Sequence, residues 1–179
     1  MEVTDEQLMS LVKAGQLDYL NEVFNRYSKR IYNYFLKSTL ERSDSDDLTQ
    51  DLFIRVMKYR NSYKDGHSVQ FWIFQIARNM VKDHFRKMKV HKDQFNPLEV
   101  IPEVTDENGE EEFERERKLH EAMKSLSDEK RELLVLSKFQ GMKYEQIATM
   151  RDTSVSNVKV QVHRTIKELR DIYFELAED

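Results

Sequence analysis

The chain is predicted to be all-α: two small helical domains joined by an acidic linker. Three observations predict this. Only four glycines and two prolines occur among 179 residues, which leaves few points where helices must break. Apolar residues recur mostly at spacings of three and four, the pattern of one helix face. Both prolines, Pro97 and Pro102, fall in one stretch with Gly109 and the run EVTDENGEEEFERE. Low hydrophobicity, like charges and helix-breaking prolines argue for little structure there. The expected division is therefore 1–90, a flexible linker at 91–112, and 113–179, and each domain is large enough for a small helical core.

The first domain reads as four helices. Thr4 followed by Gln7 is a capping-box start for a short helix that ends near Gly15. Leu17, Leu20, Phe24, Tyr27, Ile31 and Tyr34 then form an apolar stripe running to about Leu40. The polar break ERSDS precedes a helix from about Asp44 to Arg60, with Leu48, Leu52 and Val56 facing the core. Its outer face carries Asp47, Gln50, Asp51, Ile54 and Lys58. An isoleucine among acids and an amide suits docking of a basic partner helix, and a merely solvated face is the alternative. The loop NSYKDGH, residues 61–67, leads into a helix from about Ser68 to Lys89.

That fourth helix opens VQFWIFQIA and continues with Arg78, Lys82, Arg86, Lys87 and Lys89 against one acid, Asp83. One face cannot bury the whole aromatic block. A ring left at the surface beside cations suits single-stranded nucleic acid, where bases stack and phosphates pair with the charges. The alternative reading puts Trp72 and Ile76 in the core and packs the rest against neighbouring helices.

In the second domain a helix is expected near 113–125. Ser127, followed by Asp128 and Glu129, is an N-cap with acids in the first turn and opens a helix running to Gly141. Residues 144–170, YEQIATMRDTSVSNVKVQVHRTIKELR, read as a short helix, a tight turn and a longer helix. Val155, Val158, Val162, Ile166 and Leu169 form one stripe of the longer piece. Asn157, Lys159, Gln161, Arg164, Lys167 and Arg170 fall mostly elsewhere and can bond phosphates and base edges in a major groove. The segment is a helix-turn-helix or an ordinary helical hairpin.

Several function classes fall away. With no cysteine there is no disulfide, thiolate metal site or cysteine nucleophile. His67, His84, His91, His120 and His163 are scattered without metal-ligand spacing, and neither a glycine-rich phosphate loop nor GxSxG occurs. No catalysis, cofactor or metal is expected. No stretch of about 20 apolar residues exists to span a membrane, and the acidic, amphipathic N-terminus is not a signal peptide; a cytoplasmic protein is expected. The formal charge of −4 hides an uneven distribution. Residues 1–90 carry 15 Lys and Arg against 12 Asp and Glu, residues 91–117 carry 3 against 10, and residues 118–179 carry 11 against 11. The acidic segment thus accounts for the whole negative balance.

DDLTQDLFIRVMK (46–58), FWIFQIARNMVKDHFRK (71–87) and the 144–170 segment together resemble the bacterial extracytoplasmic-function sigma factors, the small two-domain sigma subunits of RNA polymerase. The resemblance spans nearly the whole chain, with the motifs in order. It implies that Asp47, Gln50, Asp51, Ile54 and Arg55 contact a coiled coil in the largest subunits of core polymerase. It implies that loop residues Asn61, Ser62, Tyr63, Lys64, Asp65, Gly66 and His67 capture a flipped base of the minus-ten element. Arg78, Asn79, Lys82 and Arg86 then lie along the melted strand. Ser156, Asn157, Lys159, Gln161, His163 and Arg164 are implied to read the minus-thirty-five element as duplex. A separate anti-sigma factor is an implied partner alongside core polymerase and promoter DNA. The linker is implied to thread toward positively lined polymerase channels, where Glu110, Glu111 and Glu112 act as an electrostatic stand-in for RNA.

Some positions depart from the family pattern. Arg151-Asp152 stands where Leu-Gly is usual, Gln161 where arginine is frequent, and Val160 where a small polar residue is common. These departures point to an altered promoter consensus and leave the expected fold intact. A free-standing DNA-binding regulator and a purely protein-binding adaptor are the competing readings. The first leaves residues 46–58 and 71–87 without a role, and the second predicts no salt-dependent DNA contact.

Overall fold

The computed structural model describes residues 3–90 and 110–178. The chain divides into two compact units, Met1–Pro97 and Leu98–Asp179, and no strand occurs among the described residues.

In the first unit α1 (Asp5–Lys13) begins with the expected capping box. Thr4 Oγ1 accepts from the Gln7 amide at 3.2 Å, and the Thr4 amide donates to Gln7 Oε1 at 2.9 Å. Two of the amides stranded at a helix start are thereby satisfied. The helix buries Leu8, Met9 and Val12 and is tied down by Asp5. That carboxylate accepts from Arg26 Nη1 at 2.8 Å and from the Tyr27 hydroxyl at 2.5 Å.

A 3₁₀ turn (Leu17–Tyr19) precedes α2 (Leu20–Thr39). This corrects the stripe read from the sequence. Leu17 and Phe24 are 42% and 43% exposed, while Val23, Tyr27, Ile31, Tyr34 and Phe35 are buried. The α-helix starts only at Leu20, so Leu17 lies outside its register, and Val23 closes the stripe four residues before Tyr27. Phe24 falls on the flank and meets Phe53 edge-on at 4.8 Å.

Leu40, at φ 63°, closes α2 after its last turn. The next helix, α3 (Arg42–Tyr59), starts two residues earlier than expected. Its core face is Leu52, Phe53 and Val56, joined by the small hydroxyls Ser45 and Thr49, with Leu48 only half-buried. Those hydroxyls donate back to the carbonyls of Glu41 and Ser45. They satisfy their own donors and let α2 and α3 lie close together.

The last helix of this unit, α4 (Val69–Val90), is capped by Ser68, whose Oγ accepts from the Phe71 amide at 3.2 Å. It buries Val69, Ile73, Phe74, Ala77, Met80 and Val81. Trp72 and Ile76, expected in the core under the packing reading, are only half-buried.

In the second unit α5 (Glu110–Ser125) starts inside the segment read as linker, so residues 110–112 are helical; 91–109 lie outside the described residues. Ser127 caps α6 (Asp128–Leu134), its Oγ accepting from the Lys130 amide at 3.4 Å. The helix expected to reach Gly141 instead widens into a π turn (Val135–Phe139), where the Gln140 amide bonds the Val135 carbonyl at 2.9 Å. Gly141, at φ 63°, then turns the chain into α7 (Tyr144–Arg151).

Asp152 takes the left-handed conformation, φ 51°, that its short polar side chain tolerates better than most. Ser154 caps α8 (Val155–Glu178) by accepting from the Asn157 amide at 3.1 Å. The buried line of α8 is Val158, Val162 and Thr165, with Leu169 half-buried. Ile166, assigned to that stripe from sequence, is 38% exposed. Thr165 takes the inward position because its hydroxyl bonds the Gln161 carbonyl at 2.8 Å, which makes a polar residue compatible with burial.

Candidate nucleic-acid and polymerase interfaces

Three helix faces and one loop carry the predicted site residues, most of them exposed. On α3, Asp47, Gln50, Asp51 and Ile54 are all exposed, at the three- and four-residue spacing that stacks side chains on one face. Ile54 is 57% exposed. Arg55 is half-buried and sits on the edge of that face. The surface combines acid, amide and a large apolar side chain, a composition suited to a partner with both cations and an apolar anchor.

The loop 61–67 is held at two points. Tyr63 is 1% exposed and donates its hydroxyl to the His67 carbonyl at 2.6 Å. Its ring meets Trp72 edge-on at 5.6 Å, and burial pushes its phenol up to about 12. Tyr63 therefore pins the loop from within and does not face a ligand; the sequence placed it among the base-capturing residues because loop position says nothing about direction.

Asp65 supplies the second point. Its carboxylate accepts from Lys13 Nζ and Ser10 Oγ, both at 2.8 Å, and those bonds hold it below the usual carboxylate range. The contact ties the loop to α1. Gly66, at φ 78°, makes the turn that a side chain would strain. Asn61, Ser62, Lys64, Gly66 and His67 remain exposed, although Ser62 Oγ donates to the Tyr59 carbonyl at 2.8 Å.

Along α4, Asn79, Lys82 and Arg86 are exposed and share a face with half-buried Trp72 and Gln75. Arg86 Nη2 lies 2.8 Å from Asp83. Arg78 does not belong with them, because it is 8% exposed and on the inner side of the helix. Gln75 was absent from the sequence assignment, and extending the Asn79–Lys82–Arg86 spacing one turn back finds it. The face presents an aromatic edge, two amides and two cations in a line, which suits a nucleic-acid strand.

On α8, Ser156, Asn157, Lys159, His163 and Arg164 are exposed and Gln161 is half-buried. Asn157 Nδ2 donates to Thr153 Oγ1 at 2.8 Å, and Asn157 Oδ1 accepts from Gln161 Nε2 at 3.3 Å. This fixes the orientation of two amides along one flank. Arg151, where the family pattern has leucine, turns back onto α6. Its Nη1 lies 3.1 Å from the Glu129 carbonyl and 3.4 Å from the Glu132 carboxylate, both side chains being largely buried. No helix among the described residues is long and apolar enough to cross a membrane.

Comparison with known proteins bears on the family and the fold. Residues 23–90 match the Sigma-70 region 2 family and residues 116–169 match Sigma-70, region 4. The chain is similar to the RNA polymerase sigma factor CarQ of Myxococcus xanthus, 26% identical over 174 residues, covering 94% of this chain and 97% of that protein. It is likewise similar to the ECF RNA polymerase sigma factor SigM of Bacillus subtilis strain 168, 26% identical over 158 residues, covering 86% and 94%. The fold matches that of the sigma factor RpoE solved in complex with the anti-sigma factor NepR from Bartonella quintana. The TM-score is 0.73 at 19% identity, covering 85% of this chain and 94% of that one. The chain therefore belongs to the sigma-70 family as an extracytoplasmic-function sigma factor, a DNA-binding transcription regulator that directs initiation by RNA polymerase.

Proposed function

We propose that this sigma factor binds the coiled coil of the largest subunit of bacterial core polymerase through the Asp47–Ile54 face of α3. In the holoenzyme, the loop 61–67 and α4 read the minus-ten element as a melted single strand, and α8 reads the minus-thirty-five element as duplex. The observation that carries this reading is the α4 face, where Trp72, Gln75, Asn79, Lys82 and Arg86 align beside a pinned loop. A base can be read in a loop only after it leaves the stack, and Lys64 and His67, exposed in the loop, are the side chains assigned to meet it in this reading. Tyr63 and Arg78 act from within the fold in this scheme.

Two readers on separate units bind weakly alone. Fixed on polymerase, they are engaged together and gain from effective concentration. The overall charge of −4 also disfavours DNA binding by the free chain, so specificity belongs to the holoenzyme. The protein acts in the cytoplasm with polymerase, and a separate anti-sigma factor restrains it, as RpoE is paired with NepR. The acidic segment enters a basic polymerase channel; Glu111 and Glu112, exposed on the first turn of α5, belong to its end.

Size-exclusion chromatography with core polymerase tests the reading. Co-elution that Asp51→Lys blocks supports it. Co-elution indifferent to Asp51→Lys removes α3 as the docking face, and failure of the wild-type chain to co-elute with its cognate core overturns the polymerase assignment.

A further inference from the structure

Val160 is out of character on the outer face of α8. It is 47% exposed, while Val158 and Val162 on either side of it in sequence are 0% and 2% exposed. Its neighbours on the helix surface, three and four residues away, are Ser156, Asn157, His163 and Arg164. All four are exposed, and all four are assigned above to the DNA-reading face. A branched aliphatic side chain therefore sits at the centre of a polar patch. Helix propensity does not favour it there, because β-branching restricts the side chain in a helix.

We propose that Val160 is a specificity-determining residue that reads one thymine in the minus-thirty-five duplex by packing on its 5-methyl group. This rests on the reading that α8 enters the major groove. In that groove the thymine methyl is the one sizeable apolar group; cytosine offers at the same place only a small C5–H beside its amine, and the other edges are donors or acceptors. Valine over an amine, a carbonyl or a ring nitrogen strips water from it and returns no hydrogen bond, leaving a desolvated polar group. Over the methyl, two apolar surfaces are buried together. The site thus selects thymine at its position and rejects cytosine, which lacks the methyl and presents an amine.

The surroundings fit this role. The Thr153–Asn157–Gln161 chain of hydrogen bonds makes one flank of Val160 stiff. Lys159 and Arg164, both exposed, supply the cationic attraction that brings the groove to the helix. A preorganised flank fixes the helix register, so Val160 meets one base pair and does not slide between two.

Uracil differs from thymine only by the missing methyl, which gives a direct test. Holoenzyme made with bacterial core polymerase is used to retain duplexes from a randomised pool, amplified either with dTTP or with dUTP. The thymidine pool is expected to enrich an upstream block with one dominant thymine. Preference at that single position is expected to fall about fourfold in the uracil pool, the share of one buried methyl. Val160→Ser, a surface change that leaves core assembly intact, is expected to abolish the difference, and Val160→Thr, which keeps one methyl, to retain part of it. An upstream block enriched equally from both pools overturns the inference, as does Val160→Ser that still discriminates or that loses core assembly. Absence of any upstream block in either pool overturns instead the reading of duplex by α8.

Discussion

Arg131→Ala should destabilise the second unit selectively. This guanidinium is almost fully buried and donates Nε to the Met123 carbonyl at 3.0 Å and Nη2 to the Leu126 carbonyl at 3.0 Å. A longer contact of 3.5 Å reaches the Lys124 carbonyl, and Nη1 lies 3.7 Å from Asp128. The bonded carbonyls belong to the last turn of α5 and the residue after it, where a helix lacks its regular i+4 donors. Burial lowers the guanidinium pKa from its ordinary value, and Asp128 opposes that shift. Truncation removes two charge-assisted hydrogen bonds, about 1.5–3 kcal/mol each, and leaves the Met123 carbonyl with its bond from the Leu126 amide at 3.2 Å; the loss is partly offset because a charge no longer has to be desolvated.

A net loss of about 2–4 kcal/mol follows, a large share of what a unit of this size holds at about 0.1 kcal/mol per residue. The expected fall in Tm is roughly 10–25 °C. The chain's one tryptophan, Trp72, lies in the first unit, so fluorescence follows that unit and far-UV circular dichroism follows both. Arg131→Ala should bring an early dichroism transition while the Trp72 transition stays in place. Arg131→Lys, which keeps the charge and loses the planar fork, should fall between. A Tm shift below about 3 °C on the scale above, or an equal shift of the Trp72 transition, would refute the account of Arg131 as the clasp of α5.

Lys159→Ala and Arg164→Ala should each reduce promoter use and lower the slope of log affinity against log salt by about 0.9 per lost phosphate contact, with core binding unchanged by co-elution. Of the eight tyrosines, Tyr27 and Tyr63 should resist alkaline ionisation followed by ultraviolet absorbance. Burial raises both phenols, Tyr63 to about 12 and Tyr27 further, helped by its bond to Asp5. Because the folded pKa lies above the unfolded one, these phenols stabilise the fold fully below about pH 10 and lose that contribution as pH rises through 12. Asp65→Asn should weaken the clasp to Lys13 and slow promoter melting severalfold in a permanganate footprint, with little change in Tm because the pair is exposed. Acidification below the carboxylate range should mimic it, since a depressed carboxyl loses its contribution as pH falls. Ile54→Ala should cost about tenfold in core affinity, as expected for an exposed anchor, without altering unfolding.

The sequence by itself determined the helical fold, the caps at Thr4 and Ser127, and the exposed face from Asp47 to Ile54. These depend on local chemistry: a hydroxyl accepts from an amide three residues on, and period-3.6 patterning marks faces wherever apolar and polar residues separate cleanly. The family resemblance named Arg78, Asn79, Lys82 and Arg86 together; helical spacing aligns the last three on one face, and Arg78 falls on the other. Direction of individual side chains needed the tertiary structure. Val23 took the inward position instead of Phe24 because a 3₁₀ turn delayed the start of α2. Thr165 displaced Ile166 inward because its hydroxyl found a carbonyl within its own helix. Arg78 and Arg131 share a composition with surface cations, yet both are buried. Whether a charge turns inward is decided by the neighbours that fill the space around it, among them residues distant in the chain such as the carbonyls that hold Arg131, and a one-dimensional pattern does not carry that information.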